Sequence, residues 1–176
     1  MNSINVLQAA IVADCAAIAQ AESYAGQFSA MDLQRVLVKM PSILVDFAGA
    51  EVQDTTGTGE IDLVCQFGAY CLSKRANNLH ARNSSSHDLA QAVALRIVQN
   101  RFGLTKVQPP VKIRLKPLNA ATFMDNALGV VAVTWEQTLR VGQSVWVGGQ
   151  RPTEVWLGLS PEIGVPYINQ YEQIDV

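Results

Sequence analysis

At 176 residues, with 49% hydrophobic and 16% charged residues, the chain can bury the core of one domain and is too apolar to be disordered. Its net charge of -2 and its few charged side chains favour a protein that hides surface in contacts with other proteins. The apolar run from Ile4 to Ala21 lacks a basic flank and is interrupted by polar residues. We therefore expect neither a signal peptide nor a membrane span, and a protein kept in the cytoplasm until it is assembled.

The charges are unevenly distributed along the chain. Residues 1–62 carry eight acids and two bases, residues 63–124 one acid and nine bases, and residues 125–176 six acids and two bases. A nucleic-acid site, or a subunit whose positive surface meets its neighbour's negative one, would produce this segregation. The third explanation is that the three segments interleave in the fold and their charges cancel.

The first elements are helical. Apolar residues at spacings of three and four predict an amphipathic helix that packs on a flat surface; they are Ile4, Leu7, Ile11, Cys15 and Ile18. A polar connection is expected from Tyr24 to Ser29, followed by a short helix from Met31 to Lys39 that Pro41 ends.

From Ser42 the pattern changes to the two-residue period of a strand. Ile43, Val45 and Phe47 alternate with other residues, turn residues follow at 54–59, and the alternation resumes from Ile61. A β-hairpin with its tip at 55–59 is predicted. Glu60 and Asp62 lie near that tip, where we expect solvated carboxylates with ordinary pKa values rather than a catalytic pair.

The middle of the chain combines basic loops with a helix. Residues between Leu72 and Ser86 are polar and predict a loop, and Ser85 with Asp88 resembles a capping box at the start of a helix that Gly103 closes. The expected buried stripe of that helix is Leu89, Ala90, Val93, Ala94 and Ile97.

Two strands follow this helix. Pro109 and Pro110 restart the chain as an extended strand, on which Lys112, Arg114 and Lys116 form a basic ladder on one face. A turn region at 119–129 leads to a last strand with core positions Val131, Val133, Trp135 and Leu139.

Residues 142–176 change to a composition rich in Gly, Pro, Gln and aromatic residues, which predicts an arm with short extended pieces at 154–159 and 165–171. Trp146 and Trp156 are its candidate anchors in a partner pocket. The alternative is that the arm covers an edge strand of its own subunit. The predicted organisation is a 1–141 domain and a 142–176 arm. The predicted fold class is α+β, a twisted and mainly antiparallel sheet packed against an N-terminal and a central helix.

No pattern indicates an enzyme. The sequence has no nucleophile elbow and no phosphate-binding loop, and its two histidines lack ligands at metal spacing, so no catalytic residue, cofactor or metal is expected. Cys15, Cys65 and Cys71 form no CxxC pair and are expected to be buried thiols in a reducing compartment.

Cationic residues cluster in two segments, the basic loop and the basic ladder. The strongest nucleic-acid candidates are Lys74, Arg75, His80, Arg82, Lys112, Arg114 and Lys116. The aromatic partners typical of single-strand binding are missing from both segments, which argues against a nucleic-acid-binding module.

The order of elements from residue 6 to residue 141 resembles the tail terminator proteins of Mu-like bacteriophages. The resemblance is carried by PSILVDFAGAE (41–51), EIDLVCQFGAYCLSKR (60–75), ARN (81–83), HDLAQAVALRIVQN (87–100) and GVVAVTWEQTLRV (129–141). Two segments depart from the family pattern. Where members carry a Gly/Tyr-containing stretch before the central helix this chain has NSSSHDLAQ, and the arm has no counterpart.

The resemblance implies a virion protein assembled in the host cytoplasm. Copies would form a hexameric ring that caps the tail tube, stops its polymerisation and joins the head-side connector. The implied partners are further copies, the tail tube protein, the sheath if the tail is contractile, the neck, and DNA that passes without being read. Subunit-interface or lumen candidates are Lys74, Arg75, Arg82, Lys112, Arg114 and Lys116. Another neck ring, such as a head-closure or tail-completion protein, is the alternative in the same class.

Overall fold

The computed structural model describes residues 3–25, 40–55, 57–74, 79–118, 128–145 and 155–174. The larger elements, in chain order, are α1 (Ile4–Cys15), β1 (Gln20–Tyr24), β2 (Ser42–Thr55), β3 (Ile61–Lys74), α2 (Leu79–Ile97), β4 (Val111–Pro117) and β5 (Leu128–Val141). They are followed by β6 (Val155–Leu157), a 3-10 helix (Val165–Gln170) and β7 (Glu172–Ile174). Of the helices in these ranges, none has the length and apolar character needed to cross a bilayer.

Five strands form one sheet in the order β1-β2-β3-β5-β4. The predicted hairpin is confirmed, because β2 and β3 pair antiparallel from Ser42 opposite Leu72 to Thr55 opposite Ile61. β5 pairs antiparallel with β3 along its whole length, and β4 pairs antiparallel with β5 at the sheet's edge. The fold class is α+β with a mainly antiparallel sheet, as predicted.

One edge strand was not predicted from the sequence. Gln20–Tyr24 forms β1, which pairs parallel with β2 over Ser42–Asp46, although its last residue was expected to begin a polar connection. Its residues are mostly polar because the strand lies at an edge and only Tyr24 is fully buried. The helix predicted from Met31 to Lys39 lies outside the described residues.

Both helices pack on the same face of the sheet. Helix α1 begins with the Ser3 side chain accepting a hydrogen bond from the Val6 N–H, and it buries the predicted stripe through Leu7, Ile11 and Cys15. Helix α2 buries Val93 and Ile97 against β3 and β5. The sheet side of this core consists of Ile43, Val45, Cys65, Phe67, Ala69, Cys71, Val131, Val133, Trp135 and Leu139.

Trp135 and Phe67 form the aromatic centre of that core. Their ring centroids lie 5.8 Å apart at 25°, an offset stack between neighbouring strands. The expectation that Trp135 belongs to the core is confirmed, and the three cysteines are free and buried as predicted.

The start of helix α2 corrects the predicted loop and the predicted capping box. The helix begins at Leu79, so Ser85 and Asp88 lie inside it. Ser86 is 1% exposed and lies four residues before the buried Ala90, so it extends the helix's buried stripe by one turn. Because a small polar residue occupies a position of the apolar stripe, hydrophobic periodicity did not predict that turn.

The chain divides into two compact units, Met1–Gln143 and Ser144–Val176. In the second unit β6 and β7 pair antiparallel, and residues 165–170, which were expected to be extended, form a 3-10 helix. The Tyr171 hydroxyl accepts a hydrogen bond from the Gly164 N–H at 2.7 Å. None of the described residues of this unit is fully buried.

Gln137 is a fully buried amide among the apolar residues of β5. Its Nε2 donates to the carbonyl oxygens of Asn100 and Gln108, at 3.1 and 3.0 Å, and its Oε1 accepts from the Trp135 indole N–H at 3.4 Å. The side chain therefore ties the segments that follow α2 and precede β4 to the central sheet.

Replacing Gln137 by Leu should lower the free energy of unfolding by about 1 to 3 kcal/mol, because the buried Trp135 indole N–H loses its acceptor and two carbonyl groups lose their donor. Chemical denaturation measures the change. Gln66→Leu, an exposed glutamine on β3, is the control and should shift stability by less than about 0.5 kcal/mol. Equal stability of the two variants would contradict the role given to the Gln137 amide.

Gly142 follows β5 and has a backbone conformation that favours glycine, with φ +105°. A Cβ there would lie 3.0 Å from the Gly59 carbonyl oxygen and 3.2 Å from the Glu60 Cα, so backbone would have to move. We expect Gly142→Ala to cost about 1 to 3 kcal/mol of stability in thermal or chemical denaturation. Gly57→Ala, where a Cβ meets nothing within 4 Å, should change stability little.

Candidate functional site

The face of the sheet opposite α1 and α2 carries polar side chains over part of its length. Strand register places Asp46, Gly68, Thr134 and Arg114 in one row across β2, β3, β5 and β4. The next row is Leu44, Tyr70, Ala132 and Lys116. Arg114 and Lys116 therefore lie on this face at the β4 edge, since residues paired in an antiparallel sheet share a face.

A groove of about 360 Å³ crosses this face. Gly68 contributes no side chain to its row, so the groove runs between Asp46 and Arg114, which are separated by about 14 Å, three strand spacings. Its lining consists of Asp46, Ala48, Gln66, Phe67, Gly68, Tyr70, Lys112, Arg114, Thr134, Trp135 and Glu136.

Lys112 does not continue the predicted ladder as a free cation. The pairing of β4 with β5 is irregular between Val111 and Arg114, and Lys112 has φ +53°. Its Nζ lies 2.8 Å from Glu136 Oε2. The irregularity breaks the alternation on which the ladder was predicted, and Lys112 is neutralised inside its own subunit.

Two groups in the groove have raised pKa values. Burial raises the pKa of the Asp46 carboxyl, although a hydrogen bond from the Phe47 backbone partly opposes this. Burial and the charge of Asp46 together raise the pKa of the Tyr70 hydroxyl. The groove therefore presents hydrogen-bonding groups together with charged groups of both signs.

The ion pairs found among the described residues connect the charge segments. Asp14 pairs with Arg96, Glu60 with Lys106, Asp62 with Arg140 and Glu136 with Lys112. Three of these pairs join the basic segment 63–124 to an acidic one, so part of the segregation cancels within the fold. The Asp62–Arg140 pair joins the two acidic segments. In the same described ranges, Lys74, Arg101, Arg114 and Lys116 are basic side chains for which no ion pair is found.

The two carboxylates near the hairpin tip are both paired with basic side chains and their pKa values are lowered, which corrects the sequence expectation. Glu60 is 7% exposed and its pKa is lowered, first by its hydrogen bond from Lys106. Arg140 donates two 2.7 Å hydrogen bonds to Asp62 and lowers the pKa of that carboxyl. These partners lie on distant segments, so spacing along the chain could not reveal them.

The remaining predicted site residues are distributed as follows. Lys74 ends β3 and is exposed, and Arg82 lies on the helical backbone of α2 with its side chain outside the described set. Arg75 and Trp146 lie outside the described residues. Trp156 lies on β6 and is 51% exposed. The structure thus brings Lys112, Arg114 and Lys116 to one edge.

Sequence reasoning missed most of the groove. The sequence pattern indicated only that some of its residues alternate with core positions; they are Asp46, Gln66, Gly68 and Tyr70. The relation of β2 and β3 to β4 depends on register, which a single strand's pattern does not contain. Among the described residues no group of three or more His, Cys, Asp or Glu side chains could hold a metal ion.

The Asp62–Arg140 pair predicts a pH dependence of stability. The pKa of Asp62 is lower in the folded chain than its ordinary value, so the pair stabilises the fold above about pH 4 and is lost as pH falls through the folded pKa. Asp62→Asn should therefore lose less stability than wild type between pH 7 and pH 3, measured by denaturant midpoints. Glu51→Gln, an exposed carboxylate on β2, should behave as wild type. An unchanged profile for Asp62→Asn would contradict this assignment.

Comparison with known proteins finds likenesses among solved structures. No family model and no curated protein matches the sequence. A chain from the structure "Virion of native gene transfer agent (GTA) particle" is similar to this chain with a TM-score of 0.48 and 16% sequence identity. The match covers 77% of this chain and 95% of that one.

Proposed function

We propose that this chain is a structural virion protein, a phage tail terminator, whose copies form a hexameric ring on the end of the tail tube. The ring stops polymerisation of the tube and provides the surface that joins the tail to the head-side connector. The observation that carries the proposal is that the described residues of one chain present unlike, oppositely charged surfaces. Its surfaces serve protein contacts, and we propose no catalytic role.

The basic surface is the β4 edge. Arg114 and Lys116 are exposed there without an ion pair among the described residues, beside Val111 and Leu115, which are 52% and 46% exposed. Exposed apolar side chains bordered by charge are typical of a contact surface rather than of a solvated edge.

Acidic surfaces lie elsewhere on the same chain. The distal half of β2, beyond the five residues that β1 covers, carries the exposed Glu51 and Asp54. Residues 155–174 contain Glu162 and Glu172 and no basic residue. Unlike patches that meet head to tail generate a ring when the rotation closes, which fits a ring of identical subunits.

The charge pattern of the groove favours a protein partner over a nucleic acid. Neutralising phosphates requires several free cations on one surface, whereas Lys112 is paired with Glu136, and Asp46 and Glu136 line the same groove. A head-closure or tail-completion protein would need unlike surfaces as well. These roles therefore differ from a tail terminator in the protein that each binds, and not in the geometry of the chain.

Negative-stain imaging of the purified protein should reveal a six-membered annulus, and the annulus should bind the ends of purified tail tubes. Binding to the connector alone would replace the proposal with a head-closure role. Strictly monomeric protein retained on DNA at low salt and released at moderate salt would replace it with a nucleic-acid-binding role.

Charge reversal tests the basic edge. We expect Arg114→Glu and Lys116→Glu together to abolish ring formation or tail joining, because like charges then meet across the contact. Arg101 is also exposed, and no ion pair is found for it among the described residues, so Arg101→Glu should leave rings intact. Normal rings and tails from the double variant would count against the proposal.

A further inference from the structure

Residues 155–174, which make up most of the described part of the arm, expose an unusual amount of apolar surface. Nine large hydrophobic side chains are exposed by 37% to 86%; they are Val155, Trp156, Leu157, Leu159, Ile163, Val165, Tyr167, Ile168 and Ile174. Surface of this kind marks a binding site when it is contiguous. Trp156, Ile168, Asn169 and Tyr171 also line a groove of about 520 Å³ that can accept an apolar side chain.

The arm is pre-ordered for docking. β6 and β7 pair, and Tyr171 packs so closely on Gly158 that a Cβ there would come within 2.6 Å of its ring. An ordered segment loses less conformational entropy on binding than a disordered one. Its two described charges are both negative, so it fits a basic surface with exposed apolar side chains.

Two sheet edges are candidates for such docking, and they differ. The distal half of β2 is acidic, and its pairing with β3 is shifted between Phe47 and Gly49 and between Val52 and Asp54, irregularities that discourage strand addition. The β4 edge is basic. The Leu118 N–H donates to the Val130 carbonyl, so by alternation the backbone groups of Lys116 and Arg114 face β5 and those of Leu115 face outward.

We infer that the arm of one copy docks on the β4 edge of a second copy, with Glu162 and Glu172 facing Arg114 and Lys116. Val111 and Leu115 supply the apolar part of the contact, and the arm's groove receives one of them. This inference rests on the proposed ring, because in it the arm is the element that one subunit extends to the next. The inference also identifies the β4 edge as the surface that receives the arm.

A charge swap tests the pairing in the full-length protein. Arg114→Glu with Lys116→Glu should raise the concentration needed for half-assembly by at least roughly tenfold, measured by sedimentation. Adding Glu162→Lys and Glu172→Lys to the same chain should restore assembly. Arg101→Glu is the matched single reversal and should have no effect. The inference is overturned if Arg114→Glu with Lys116→Glu still assembles normally. It is also overturned if adding Glu162→Lys and Glu172→Lys fails to restore assembly.

Cross-linking between differently tagged copies tests whether the contact joins two chains. One copy carries Pro117→Cys on β4 and the other Gln173→Cys on β7, joined by a short bis-maleimide. The native thiols do not interfere, since burial raises the pKa of Cys15 and Cys65 to about 11 and of Cys71 to about 12. We expect a covalent product that carries both tags, and none when Arg101→Cys replaces Pro117→Cys.

The outcomes separate this inference from the proposed function. If both cysteines are placed in one chain and only an intrachain product forms, the arm straps its own subunit and the inference fails while the ring stands. If the wild-type protein is monomeric at all concentrations, the proposed ring itself fails.

Discussion

The structure depends on the burial of one sheet face under the helices α1 and α2. Because successive strand residues point to opposite faces, each core residue on β2, β3 and β5 places its neighbours on the face opposite these helices. At one end that opposite face is also buried and apolar, with Leu44, Leu72 and Val130 in a second small cluster. Further along it carries the mixed-charge groove, and its margin is the β4 edge. The surfaces proposed to bind other subunits are thus a consequence of how the core is built.

Periodicity predicted the elements wherever a buried stripe was uniformly apolar. Leu7, Ile11 and Cys15 made helix α1 evident, and Ile43 and Val45 did the same for β2. It failed where a polar residue occupies a core position. Ser86 hid the first turns of α2, and nothing local indicated that Gln137 is buried, because its partners are carbonyl groups of segments far along the chain. β1 was missed since a five-residue edge strand buries too little to leave a pattern.

The candidate site divides in the same way. Alternation correctly placed Arg114 and Lys116 on one face, because the register from Arg114 to Pro117 is regular. It failed at Lys112, where a backbone irregularity interrupts the period and a pair with Glu136 removes the free charge. Asp46 and Gly68 could not be assigned to the same row as Arg114 from the sequence. Rows across a sheet are set by register between strands, and register is a tertiary property.

The proposed assembly needs few ionic groups. Three ion pairs among the described residues join the basic middle segment to the acidic segments on either side and cancel part of the charge segregation seen in the sequence. Of the charges that remain, the proposed contact uses Arg114 and Lys116 at the β4 edge and Glu162 and Glu172 in the arm. Exposed ion pairs contribute little stability, but opposed charges around an apolar contact fix its register and exclude like-charged alternatives. In a head-to-tail ring each subunit must bind its neighbour through one specific pair of unlike surfaces. Charge selectivity therefore favours closure of the ring over disordered association.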